Sequence, residues 1–121
     1  SLAFDLGEAL GCGAHVTELR RTSVGKFNVE DAIKFTDLER MDNQQRQEQL
    51  LPVDAGIVNM PFVNLSEDAS HQFCQGQEVR TKDSTAVGLV RVYHEAGGIL
   101  GIGEAMPGRR VKPKRLLNTY R

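Results

Sequence analysis

Two turn signals divide the last third of the chain into three segments with the character of β-strands. Residues 88–93 (GLVRVY) are rich in strand formers, and the Gly97-Gly98 pair that follows is typical of a hairpin. Residues 99–104 are predicted to be the return strand, Pro107-Gly108 marks a second turn, and residues 109–117 are predicted to be the last strand. Short turns between three strands restrict this region to a meander.

The elements before this meander make the region a mixed one. Residues 62–65 are predicted to form a short strand, Ser66 to cap a helix that runs to about Cys74, and residues 78–80 to form another short strand. Pro113 within the last strand is tolerated most easily at a sheet edge. These elements predict a small, curled, barrel-like module, and the fold class predicted for the whole chain is α+β.

The first residues of the chain carry the apolar stripe of a helix. Leu2, Ala3, Leu6 and Leu10 have the spacing of one helical face, and Gly11 is predicted to end the helix. No capping residue is evident at its start, and we expect the chain to be the tail of a larger protein. The apolar face of this helix predicts self-association or another partner.

The segment between this helix and the mixed module is predicted to hold short elements only. Residues 15–19 are predicted to form a strand, Asn28 and Thr36 to cap two short helices, and residues 43–51, which are rich in Gln, to form a surface helix. Pro52 disfavours helix in the residue before it and marks a boundary. We expect a domain of residues 1–56 and a second domain of residues 57–121.

Composition excludes several classes of protein. Hydrophobic and charged fractions of 40% and 26% argue against disorder, and no apolar run approaches the length of a membrane span. Two distant cysteines do not make a disulfide framework, which favours the cytoplasm. The segment Gly11-Cys12-Gly13 lacks the Lys and Ser/Thr of a phosphate-binding loop, and Gly101-Ile102-Gly103 lies within a predicted strand. We therefore expect no nucleotide cofactor and no membrane partner.

Four side chains have the spacing of zinc ligands. They form two tight pairs, Cys12 with His15 and His71 with Cys74. The first pair straddles a glycine turn and the second lies on a helix of the other predicted domain, so we expect no metal. His15, His71 and His94 are distant in sequence, and nothing places a nucleophile beside any of them.

Positive charge is concentrated at the end of the chain. Six basic residues and no acid lie between residues 105 and 121, namely Arg109, Arg110, Lys112, Lys114, Arg115 and Arg121. Such a basic end is expected of a contact with a polyanion. Strand alternation places Arg110, Lys112 and Lys114 on one face, and Arg109 and Arg115 on the other face with Val111 and Pro113. The alternative interpretation is an edge strand that basic side chains protect from aggregation.

Several motifs, in order and over nearly the whole chain, resemble one family. They are DLG at 5–7, LGCGAH at 10–15, LRRT at 19–22, VGKF at 24–27, LLPVD at 50–54, LGIGE at 100–104 and PKRL at 113–116. The chain resembles the C-terminal part of bacterial tRNA pseudouridine-55 synthases of the TruB type. The resemblance implies the end of a catalytic domain followed by a PUA-like RNA-binding domain. It also implies tRNA as partner, isomerisation of a T-loop uridine to pseudouridine, and no cofactor.

The resemblance also assigns roles to individual residues. Leu19 matches the Leu of the family's LRR motif, which packs against the flipped uridine. Arg20 and Arg21 are weaker candidates for RNA contact or for pairing with acids elsewhere in the enzyme. The family's nucleophilic Asp is expected upstream of Ser1, so we expect the chain alone to be inactive. The alternative hypothesis is a non-catalytic module that binds RNA or another protein.

Overall fold

Residues 1–117 of a computed structural model are described here, so Arg121 lies outside the described residues. The chain divides into two compact units, Ser1–Glu48 and Gln49–Arg121. The first unit holds small helices and one two-stranded hairpin, and the second is built on a five-stranded sheet. The prediction of an α+β fold is confirmed.

Helix α1 (Leu2–Leu10) opens the first unit. Its predicted end is confirmed, because Gly11 adopts a left-handed φ of 73° and its amide donates to the Glu8 carbonyl. The prediction of an uncapped start is wrong, since the Ser1 hydroxyl accepts a hydrogen bond from the Phe4 amide at 3.4 Å. The chain then folds back over Gly7, where a Cβ would lie 2.4 Å from the Ala14 nitrogen.

The strand predicted for residues 15–19 is wrong. This segment has no regular structure, and the first strands are β1 (Ser23–Val24) and β2 (Phe27–Asn28), which form a hairpin around Gly25. Apolar alternation alone does not make a strand, because a strand also needs a neighbouring backbone to pair with. In the described part of the chain no strand pairs with residues 15–19.

Two short helices, α2 (Phe35–Arg40) and α3 (Asn43–Glu48), follow in the first unit. Asn28 takes the predicted N-cap position, although of a single 3₁₀ turn and without a side-chain hydrogen bond, whereas α2 begins before Thr36, so the prediction of a Thr36 cap is wrong. The capping box lies instead at the start of α3, where Asp42 and Gln45 exchange two hydrogen bonds between side chain and amide, of 2.8 and 3.1 Å. Helix α3 ends three residues earlier than predicted.

The sheet of the second unit has the strand order β3-β5-β6-β7-β4. Strand β3 (Phe62–Leu65) runs parallel to β5, and the other neighbours are antiparallel. Helix α4 (Glu67–Cys74) follows β3 as predicted, although the Ser66 side chain makes no capping hydrogen bond. The remaining strands are β4 (Val79–Arg80), β5 (Gly88–His94), β6 (Ile99–Met106) and β7 (Arg110–Leu116).

One side of this sheet forms the core of the second unit. Phe73 of α4 is fully buried there and packs against side chains that alternate along the strands. The core residues are Val63, Leu65, Phe73, Val79, Val90, Val92, Leu100, Ala105 and Val111. Burying such side chains stabilises this unit by roughly 1.5–3 kcal/mol each.

A β-bulge changes the facing of the last strand. Gly103 pairs with Pro113, but the next residue back, Ile102, pairs with Arg115, so Lys114 is an extra residue in β7. Directly paired residues share a face, and Arg115 therefore faces away from the core. The prediction that Arg115 shares a face with Val111 is wrong, because simple alternation ignores the bulge.

Candidate functional site

The side of the sheet that faces away from the core carries the candidate site, and we call it the outer face. In β5 the burial pattern separates the two sides, with Val90 and Val92 buried and Leu89 and Arg91 pointing outward. The register extends this division to the neighbouring strands. The outer face includes Phe62, Asn64, Leu89, Arg91, Tyr93, Ile99, Ile102, Glu104, Met106, Arg110, Lys112 and Arg115.

Four of these residues form one row across four strands. Phe62 pairs with Arg91, Arg91 with Ile102, and Ile102 with Arg115. With about 4.8 Å between neighbouring strands, the path along the sheet from Phe62 to Arg115 is about 14 Å. The row therefore has an aromatic ring at one end and a guanidinium group at the other.

Arg91 connects the outer face to the segment that precedes β3. Its side chain is only 13% exposed. Its Nε donates to the Met60 carbonyl at 2.9 Å, its Nη2 to the Val58 carbonyl at 3.1 Å, and its Nη1 to the Tyr93 hydroxyl at 3.0 Å. Each guanidinium nitrogen thus has a partner, which fixes the orientation of the group.

Tyr93 and Asp54 complete this network. The Tyr93 hydroxyl donates to Asp54 Oδ2, which lies 3.6 Å from Nη1 of Arg91. The hydrogen bond from Tyr93 lowers the pKa of Asp54, and the Arg91 charge acts in the same direction. Burial raises the pKa of Tyr93, and its bond to Asp54 raises it further. Asp54 is therefore held ionised and Tyr93 neutral over the physiological pH range.

Phe62 lies over this network with more than half of its side chain exposed, 56%. Its ring meets the ring of Tyr93 edge to face, with centroids 6.1 Å apart and planes at 89°. The Arg91 guanidinium carbon lies 5.7 Å from the centroid of each ring. Together with Asn64 these side chains line an open cavity on the outer face.

The predicted trio of basic residues on β7 has unequal surroundings. Arg110 pairs with Glu78 at 3.2 Å, and Lys114 pairs with Glu104 at 2.7 Å. The hydrogen bond and charge of Lys114, with the charge of Lys112, lower the pKa of Glu104. Within residues 1–117, Lys112 and Arg115 form no ion pair. Because β4 pairs with β7 only at residues 110–111, Lys112 and Arg115 lie where β7 is a sheet edge. Pro113 lies in the same stretch, at a sheet edge as predicted.

The other predicted site residues lie in the first unit. Leu19, Arg20 and Arg21 belong to the irregular segment before β1, and all three are exposed. Leu19 is 89% exposed, which is unusual for a large apolar side chain. Their roles stay predictions.

The four side chains with the spacing of zinc ligands are divided between the two units. Cys12 is exposed in the first unit, and Cys74 is partly buried on α4. Among residues 1–117, no three His, Cys, Asp or Glu side chains converge as a metal site would require.

Buried His94 accepts from the Ala96 amide through Nδ1, so its Nε2 donates to Glu67 Oε2, 2.7 Å away.

In the same described residues, no helix is long and apolar enough to cross a membrane.

Sequence reasoning missed the aromatic end of the outer face. Phe62, Arg91 and Tyr93 were assigned only to strands, and they meet because β3 and β5 pair in parallel across a long connection. The available signal was the alternation of Arg91 and Tyr93 with buried valines, which places both side chains on one face.

Two family models match the chain. One is described as the tRNA pseudouridylate synthase B C-terminal domain and matches residues 1–58. The other is described as pseudouridine synthase II TruB, C-terminal, and matches residues 61–117. The second match and the five-stranded sheet confirm the expected PUA-like fold of this region.

Proteins named tRNA pseudouridine synthase B resemble the chain over nearly its whole length. The one from Aromatoleum aromaticum is 44% identical over 98% of this chain and 38% of its own length. Those from Methylobacillus flagellatus and Stutzerimonas stutzeri are 41% and 39% identical over 97% and 98% of this chain. The chain spans about two-fifths of the length of these relatives. It belongs to the TruB family of tRNA pseudouridine synthases and matches their C-terminal part.

Proposed function

We propose that this chain is the RNA-binding C-terminal part of a tRNA pseudouridine synthase, an enzyme that isomerises a T-loop uridine to pseudouridine. The observation that carries the proposal is the similarity to tRNA pseudouridine synthase B proteins over 97–98% of the chain. Because the chain spans about two-fifths of those relatives, we assign to it tRNA binding and not the complete reaction. Two free cysteines, Cys12 and Cys74, support a cytoplasmic location.

The second unit would bind the phosphate backbone through the edge of β7. Lys112 and Arg115 face outward and form no ion pair within residues 1–117, so they can neutralise phosphates without first losing a protein partner. Arg110 and Lys114 are weaker contacts, because Glu78 and Glu104 already neutralise them. Such contacts supply affinity and register, and they suit recognition of A-form RNA by shape.

The first unit would contribute to the uridine pocket. Leu19 is almost fully exposed, so its side chain gives the chain itself little packing energy and is free to contact a flipped base. Arg20 and Arg21 follow it directly and are also exposed. In this proposal residues 1–56 end the catalytic domain and residues 57–121 form the RNA-binding domain.

The test is tRNA binding by the full chain across a salt series. The logarithm of the affinity should fall linearly with the logarithm of salt, and Lys112→Ala or Arg115→Ala should each reduce that slope by about one. Arg110→Ala is the matched control, because Arg110 lies on the same strand as Lys112 and Arg115 but is already neutralised by Glu78. The salt slope of this variant should change less. Absence of binding at low salt, or equal slopes for all variants, would refute the proposal.

A further inference from the structure

We propose that Phe62, Tyr93 and Arg91 form a stacking platform for one unpaired RNA base. This inference rests on the proposed function and adds a second contact, on a different strand from the basic residues of β7. Phe62 belongs to β3, the edge strand opposite to β4 in the strand order. Its neighbours Val63 and Leu65 contribute to the core, whereas its own ring is 56% exposed and contributes little to it.

Hydrogen bonds hold two of the three platform side chains in place. Tyr93 is held by Asp54 and Arg91, and Arg91 is held by two carbonyl oxygens of the segment before β3. The edge of one aromatic ring then meets the face of the other at 89°. A base that stacks here orders few additional side chains, so more of the stacking energy contributes to affinity.

The chemistry of the platform favours a base and not a phosphate. All three nitrogens of Arg91 already donate hydrogen bonds and its side chain is only 13% exposed, so this group supports the two rings and has little capacity left for a phosphate. Aromatic rings and Arg planes are the groups on which proteins stack unpaired bases. Asn64 also lines the cavity; its Nδ2 donates to Asp83 Oδ2 at 3.5 Å, and its side-chain oxygen can accept a hydrogen bond from the edge of a base.

The same row of residues continues to a cation. Ile102 follows Arg91, and Arg115 follows Ile102, about 14 Å from Phe62 along the sheet at a strand spacing of about 4.8 Å. A nucleic acid strand that lies along this row would meet an aromatic surface for its base and a positive charge for its phosphate. This complementarity selects RNA with an unpaired nucleotide over an uncharged apolar ligand.

The experiment compares a single-stranded oligonucleotide with a blunt duplex of the same sequence, using the full chain. Phe62→Ala and Phe62→Leu should weaken single-strand binding about tenfold or more and leave duplex binding unchanged. The salt slope should stay constant, because no charge is removed. Leu89→Ala is the matched control, since Leu89 is an aliphatic residue on the same face and 53% exposed. Circular dichroism and thermal melts of each variant verify the fold.

Three results would overturn the inference while leaving the proposed function intact. They are wild-type affinity of Phe62→Leu for the single strand, an equal loss with Leu89→Ala, and an equal loss for the duplex, each obtained while Lys112→Ala still reduces the salt slope. Absence of binding to either RNA at low salt would instead refute the proposed function, and this inference with it.

Discussion

Replacing Arg91 with Met should detach the segment before β3 from the sheet. Met fills a similar volume along the side chain but donates no hydrogen bond. The substitution removes the donors to the carbonyls of Val58 and Met60 and to the Tyr93 hydroxyl. These groups are only partly exposed, so water replaces the lost bonds incompletely.

The expected loss follows from the number of bonds. At about 1 kcal/mol for each of three hydrogen bonds, the free energy of unfolding of the second unit should fall by about 3 kcal/mol. A unit of this size is expected to have a stability of roughly 4–11 kcal/mol, so the loss is a large fraction of the total. Arg91→Lys should fall in between, because a single ammonium nitrogen cannot reach all three acceptors.

Urea unfolding followed by far-ultraviolet circular dichroism measures this loss, since the five-stranded sheet dominates the β signal. Arg80→Met is the matched control: Arg80 is an exposed residue of β4 that forms no ion pair within residues 1–117, and it should change stability by less than about 0.5 kcal/mol. A loss below about 1 kcal/mol for Arg91→Met, or one equal to that of Arg80→Met, would refute the reasoning.

Three further predictions concern the remaining parts of the structure. Gly101→Ala places a Cβ 2.1 Å from a backbone oxygen of β7 and should lower the unfolding free energy by about 3 kcal/mol. Gly88→Ala places its Cβ in open space and should lower the unfolding free energy by about 1 kcal/mol. Thermal melts of the two variants measure this difference. The lowered pKa of Asp54 contributes stability that is present above its ordinary value of 3.8 and lost as pH falls through the folded value, so Asp54→Asn should flatten the acid limb of a stability profile. Burial raises the pKa of the Cys74 thiol, so Cys12 should react first with a disulfide reagent and Cys12→Ser should abolish the fast phase.

Local signals were sufficient for much of the fold. Helix α1, helix α4 and the three-stranded meander were predicted because glycines, acidic first turns and strand-forming runs act within a few residues. The strand predicted at residues 15–19 failed because pairing depends on a distant backbone, about which alternation says nothing. The Thr36 cap failed because α2 begins one residue earlier, whereas Asp42 lies directly before α3 and accepts from the Gln45 amide.

The candidate site was predicted only at its basic edge. Charge can be counted in a sequence, so Lys112 was predicted as a contact. The bulge at Lys114 adds one residue to β7, which inverts the simple alternation and places Arg115 on the same face as Lys112. The ion pairs that neutralise Arg110 and Lys114 join residues on different strands. They depend on register, which the sequence pattern leaves open.

The positions of the charged groups suggest why the outer face has two different ends. Glu104 pairs with Lys114, and Asp54 is engaged by Tyr93 and Arg91, so these two acids on and beside the face are already compensated. Lys112 and Arg115, which form no ion pair within residues 1–117, lie on β7, whereas the exposed ring of Phe62 lies on β3. Binding through β7 must then depend steeply on salt, and binding through β3 hardly at all. The two contributions can therefore be separated by salt alone, because each strand acts through a different physical force.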